Sequence, residues 1–113
     1  MELNAIRRGL FVTVVAPGDF GKSRPALVVR SDLFSALPTV AVLLLTSDLR
    51  DDADQVRIEV SPTAENGLRQ PSQIAIDKIV ALRPEKLGAV IGKADDALLV
   101  RVNRALAVYL GIA

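Results

Sequence analysis

APGDFGKSRPALVV, Ala16 to Val29, can be read in two ways that lead to different folds. With Ala16 where a phosphate loop usually has glycine, Gly21-Lys22-Ser23 would cradle a nucleotide's phosphates, provided a helix starts at Lys22-Ser23 and points its positive end at them. The next residues are instead Arg24-Pro25 and then an apolar, β-branched run, so Arg24 to Arg30 reads as a strand with Pro25 at its entrance, where a missing N–H does least harm. On the other side, Leu10 to Val15 (LFVTVV) is equally strand-like and closes on Pro17-Gly18. The stretch is therefore a glycine-containing loop between two strands. Nucleotide binding is set aside, since the chain also lacks the βαβ units that build a parallel sheet.

Outward from this pair, Ser31-Asp32 can cap a helical turn through Phe34 to Leu37, stopped by Pro38. Thr39 to Thr46 (TVAVLLLT) is almost wholly apolar and reads as a central strand covered on both faces. Gln55 to Val60 alternates, with Val56, Ile58 and Val60 on one face. Pro62 to Pro71 is turn-rich. Ser72 to Leu82 starts as a strand with Ile74 and Ile76 inward and Gln73, Ala75 and Asp77 outward, then changes phase beyond Lys78, which predicts a bulge. Pro84 to Leu87 fits a short turn and Ala89 to Ile91 a last strand. Asp95 can cap a closing helix whose apolar stripe is Leu98, Val102, Ala105, Leu106 and Tyr109, ended by Gly111. The predicted fold is mainly β with helices: a strongly curved antiparallel sheet or partly open barrel with a long C-terminal helix packed on it. One domain is expected over 1–113.

Composition narrows the chemistry. Fourteen Lys and Arg against thirteen Asp and Glu leave a formal charge of +1, so any site for a polyanion must be local. With no cysteine and no histidine, thiolate and imidazole are excluded as ligands, bases and nucleophiles. Arg7-Arg8 before the apolar run Leu10 to Ala16 faintly imitates a signal peptide, but the run is short and ends at Pro17-Gly18. No stretch approaches the length of a membrane span, and a cytoplasmic protein without membrane contact is expected.

The order Gly9-Leu10-Phe11-Val12, a glycine-containing loop, Arg24-Pro25-Ala26-Leu27-Val28-Val29, Leu45-Thr46-Ser47, then Pro71-Ser72-Gln73-Ile74 leading into Asp77-Lys78 resembles the MazF/PemK family of toxin endoribonucleases. The similarity continues through the C-terminal RALAVYLGI, Arg104 to Ile112. The resemblance implies an SH3-like barrel that forms a homodimer, cuts single-stranded mRNA at short motifs without a metal or other cofactor, and is silenced by a cognate antitoxin, through which it can meet DNA indirectly. It also implies catalytic positions. The family's arginine before proline falls on Arg24, its threonine after the third strand on Thr46, and an acidic residue used by some relatives on Asp77. Two departures stand out: an arginine two positions before that acidic residue is Ala75 here, and a first-loop histidine of some relatives is absent.

These residues suit the chemistry on their own terms. Metal-free RNA cleavage uses the substrate's 2′-hydroxyl as nucleophile, so the protein must position it, stabilise charge on the phosphate oxygens and manage two protons. Arg24 is by geometry a bidentate phosphate clamp, and a guanidinium that stays protonated is a poor base. Thr46 can hydrogen-bond a phosphate oxygen or hold the 2′-hydroxyl, although a threonine ending a strand often bonds nearby backbone instead. Asp77 can serve in proton transfer or simply pair with a neighbouring cation. RNA contacts are expected from Phe20 as a stacking platform, Lys22, Ser47, and Gln73 toward a base edge. Ser47 also suits a turn. The rival reading is a non-catalytic DNA gyrase poison of the CcdB type, which shares the fold and the C-terminal Gly111-Ile112; the tryptophan such proteins carry before it is Leu110 here. An inactive barrel that only binds is a second rival.

Overall fold

In the computed structural model, which describes residues 1–52 and 55–113, Lys22 is succeeded by strand and not by helix. Strand β1 (Leu10–Val15) runs antiparallel to β2 (Ser23–Val28), with Val15 opposite Ser23 and Phe11 opposite Leu27. The chain continues through β3 (Val40–Thr46), β4 (Arg57–Val60), β5 (Ser72–Leu82) and β6 (Leu87–Lys93) to the helix α1 (Asp96–Tyr109). All pairings are antiparallel in one six-stranded sheet of order β4-β5-β3-β2-β1-β6. Among the described residues β4 and β6 share no ladder, so the sheet curls without closing. The turn expected at Phe34 to Leu37 begins earlier, as a short helical turn over Asp32–Phe34 capped by the Ser31 hydroxyl.

Both faces of the middle strands are covered. Phe11, Leu27, Leu43, Leu45, Ile58, Ile74, Ile76 and Val102 form one core, inside the curl and under α1. Val12, Val14, Ala26, Val28, Val42, Leu44 and Leu87 form the other, sealed by Ile6. Odd and even residues of β2 and β3 thus feed different cores, which is why β3 reads as a continuous apolar run. In β5 the alternation changes phase as predicted. Leu43 faces Ile79 while Leu45 faces Ile74, so one intervening residue of β3 is matched by four of β5. Ile76 therefore points into the first core and Leu82 into the second, and this bulged strand turns the corner of the open barrel. The bulge lies slightly before the position the pattern suggested.

The gap between β4 and β6 is filled by the β4–β5 loop. Asn66, buried, organises it: its Oδ1 accepts from the N–H groups of Thr63 and Leu68, both at 3.0 Å, and its Nδ2 donates to the Ser61 carbonyl at 2.9 Å. Lys93 N–H donates to the Glu65 carbonyl at 2.9 Å, which ties the loop to β6. Contact is backbone to backbone here. A Cβ on Gly67, whose φ is +68°, would strike the Ile91 carbonyl, and one on Gly92 would strike the carbonyl of Asn66. Helix α1 is capped by Asp95, whose carboxylate accepts from Leu98 N–H at 2.8 Å. Val102 is its fully buried anchor, worth about 2 kcal/mol by burial. Tyr109, the last member of the predicted stripe, is 46 % exposed.

Candidate active site

The site forms where β2 and β3 part company. Val29 N–H donates to the Ala41 carbonyl at 3.0 Å, which fixes the odd residues of β2 as those that bond toward β3. Pro25 is the next such residue beyond Leu27 and has no N–H to give, and the β2–β3 ladder ends at Ala26 opposite Leu44. Beyond it the two strands border an open cleft of about 610 Å³. Thr13, Arg24, Pro25, Leu45, Thr46 and Ser47 line it, together with Gly67 to Gln70 of the β4–β5 loop. Arg24 and Thr46 stand two residues beyond the last paired residues, Ala26 and Leu44, and both line this cleft.

Arg24 is held by a residue that sequence reasoning passed over. Asp19, in the β1–β2 loop, accepts from Arg24 Nε at 2.7 Å and from Nη2 at 2.6 Å, a bidentate pair whose carboxylate side chain is only 13 % exposed. The loop is shaped for this: Lys22 N–H donates to the Asp19 carbonyl at 3.0 Å, glycines with positive φ stand at 18 and 21, and Phe20 itself sits at φ +54°. A guanidinium has five N–H donors, and this pairing uses those on one edge. The other edge is left to meet an anion from the cleft. The sequence signal was a carboxylate five residues before the arginine, across a turn bracketed by glycines.

Thr46 Oγ1 accepts from Asp48 N–H at 3.0 Å. That commits one lone pair to the backbone and leaves the hydroxyl proton free to donate, so the structural and chemical readings of Thr46 coexist. Ser47 stands beside it, exposed, on the cleft.

The structure departs from the sequence expectation at Gln73. Placed outward by alternation, it is buried, because the β3–β4 loop folds over it. Its amide acts as a strand partner for Arg50, donating to the Arg50 carbonyl at 2.7 Å and accepting from its N–H at 3.0 Å, while Arg57 Nη1 donates to it at 3.3 Å. An amide so committed has no edge to offer a base. Gln73→Leu should leave the Arg50 backbone groups unpaired and lower unfolding free energy by about 2 kcal/mol, read as a lowered melting temperature; an unchanged transition would contradict this role.

The remaining candidates lie elsewhere. Phe20, 98 % exposed, and Lys22 are on the β1–β2 loop outside the cleft lining. Asp77 is on the bulged part of β5, also outside it, and among the described residues its buried Oδ1 has no hydrogen-bond partner. Arg50, whose pKa is raised mainly by its hydrogen bond to Asp52, also feels the charges of Asp48 and Asp77; Asp52 in turn is held below the usual carboxylate range by Arg50. Both are exposed, so that pair shapes local charge and little else. Among the described residues no three acidic side chains gather into a set able to hold a metal ion, and no helix is long and apolar enough to cross a membrane.

A family model described as PemK-like, MazF-like toxin of type II toxin–antitoxin system matches residues 7–110. The chain belongs to this family. Among relatives of this MazF-like chain, a probable endoribonuclease MazF of Mycolicibacterium smegmatis is 39 % identical over 110 residues, covering 96 % of this chain and 99 % of the relative. The fold is shared with the toxin MazF-mt6 of Mycobacterium tuberculosis, at 22 % identity and a TM-score of 0.76, covering 94 % of this chain and 99 % of that one. It is shared as well with an endoribonuclease from Mycobacterial species solved in complex with its cognate antitoxin, at 22 % identity and a TM-score of 0.79, covering 96 % and 97 %. The open, six-stranded sheet with one C-terminal helix is thus the MazF-like architecture, as the sequence resemblance implied.

Proposed function

We propose that this MazF-like chain is a ribosome-independent endoribonuclease toxin that cuts single-stranded mRNA at preferred sequences, without a metal. One observation carries the reading: Arg24 and Thr46, just beyond the last paired residues of β2 and β3, border one open cleft. The 39 % identical relative, named a probable endoribonuclease, supports it. The RNA's 2′-hydroxyl yields its proton to water as its oxygen attacks the adjacent phosphorus, the P–O5′ bond breaks, and the departing 5′-oxygen takes a proton from water, leaving a 2′,3′-cyclic phosphate and a 5′-hydroxyl. Arg24 presents its unspent edge to the phosphate oxygens as charge builds there, and the Thr46 hydroxyl donates a hydrogen bond to one of them. Asp19 orients Arg24, so the guanidinium needs little rearrangement when substrate arrives. Asp77, outside the cleft, is given no step. Phe20 and Lys22, at the loop tip, are where RNA leaving the cleft would be stacked and neutralised.

The same reading takes 1–113 as one toxin domain acting in the cytoplasm. An antitoxin segment, extended and both acidic and apolar, would occupy the cleft and compete for Arg24, and would link the toxin to DNA indirectly. A homodimer contact would cover exposed apolar residues such as Leu33 and Phe34 after β2, or Val108, Leu110 and Ile112 at the end of α1. The gyrase-poison alternative is not favoured: the chain belongs to the PemK/MazF family, and Leu110 stands where a poison's tryptophan would. Purified protein incubated with mixed-sequence RNA in excess chelator should yield discrete cuts at a shared motif, with cyclic-phosphate ends on mapping. RNA left intact beside arrested gyrase would overturn the assignment.

A further inference from the structure

We propose that Arg69 is a second anion-binding position in the cleft and grips the phosphodiester next to the one held by Arg24; this rests on the nuclease reading above. Arg69 stands on the β4–β5 loop wall of the cleft that Arg24 and Thr46 border. The guanidiniums of Arg24, Arg50 and Arg57 each already bond protein oxygens, Arg24 along one edge. That of Arg69 is exposed and, among the described residues, makes no hydrogen bond or ion pair. Its five donors are available to a ligand, and a phosphodiester is the ligand that the neighbouring site already selects.

Arg69 is also held in place, unlike a cation at a loose loop tip. Leu68, just before it, is buried in the first core, and Ser72, shortly after it, opens β5. The loop is locked at Asn66 and pressed against β6 at Gly67 and Gly92. A cation whose backbone is fixed loses less entropy on docking, so its contact shows in affinity. The net charge of +1 supplies no general attraction for RNA, which makes each positive group inside the cleft count individually. Because Arg69 belongs to the β4–β5 loop, a different element from those that carry Arg24 and Thr46, its role is to hold the strand, and it acts on binding and not on the bond being broken.

The test uses Arg69→Ala and Arg69→Lys with the intact chain. Binding is measured against an RNA carrying a 2′-deoxy sugar at the cut, over a range of salt, and cleavage against the all-ribose RNA. Arg69→Ala should weaken binding roughly tenfold, reduce the slope of log affinity against log salt by about 0.7, and raise KM while kcat stays within about twofold. Arg69→Lys should restore the salt slope. A neutral methylphosphonate placed at one linkage beside the cut should weaken wild-type binding similarly and erase the difference between wild type and Arg69→Ala. If the variant matches wild type in slope and KM while wild type still cuts, or if neutral linkages and the substitution act additively at every position, the inference is overturned and the nuclease reading stands. If wild type leaves every RNA intact, that reading fails and this one falls with it.

Discussion

Arg24→Ala should lower RNA cleavage by about a thousandfold, the upper end of what loss of one donor to a developing oxyanion costs. The expectation is large because Arg24 is charged, forked and pre-aimed by Asp19 at 2.6 and 2.7 Å, so its removal takes away both charge stabilisation and orientation. Folding should be nearly unaffected. The Arg24 side chain is 36 % exposed, and an ion pair that open to solvent contributes at most about 1 kcal/mol, or a few degrees in melting temperature. Arg24→Lys separates charge from shape: a lysine keeps the charge but cannot span the carboxylate and the phosphate at once, so most of the loss should remain. Single-turnover rates with folded protein, confirmed by melting curves, decide the matter. Full activity in Arg24→Ala would remove the mechanism altogether.

The second large effect is expected at Thr46. Thr46→Val keeps the shape of the side chain and deletes the hydroxyl, and should slow cleavage about a hundredfold by removing the hydrogen bond donated to the phosphate. It also deprives Asp48 N–H of its acceptor at 3.0 Å, but that group lies at an exposed turn where water can replace it, so the stability cost should be under about 1 kcal/mol. Thr46→Ser, which restores the hydroxyl, should recover most of the rate. A Val variant as active as wild type would assign Thr46 to the turn alone.

Features that depend on neighbours in sequence were legible from the residues. β1, the doubly covered β3, the phase change in β5 and the Asp95 cap all arise from local periodicity and side-chain chemistry, and the order of motifs placed Arg24 and Thr46 in one site. Features that escaped depend on how loops fold back. Asp19 meets Arg24 only because the β1–β2 turn has the backbone angles to bring it round. Gln73 looked like an outward polar residue, and a loop centred on Arg50, 23 residues earlier, buries it. Arg69 gave no signal at all, since its meaning comes from the wall on which it stands.

Pro25 has a consequence beyond sterics. Most sheets of this kind are continuous hydrogen-bonded surfaces, and a furrow through one has to be opened when a ligand arrives. Here a single imino acid, silent on the side that faces β3, marks where the weave stops, and it does so as the protein folds. On the nuclease reading, an RNA strand should therefore enter without any break in the β2–β3 ladder.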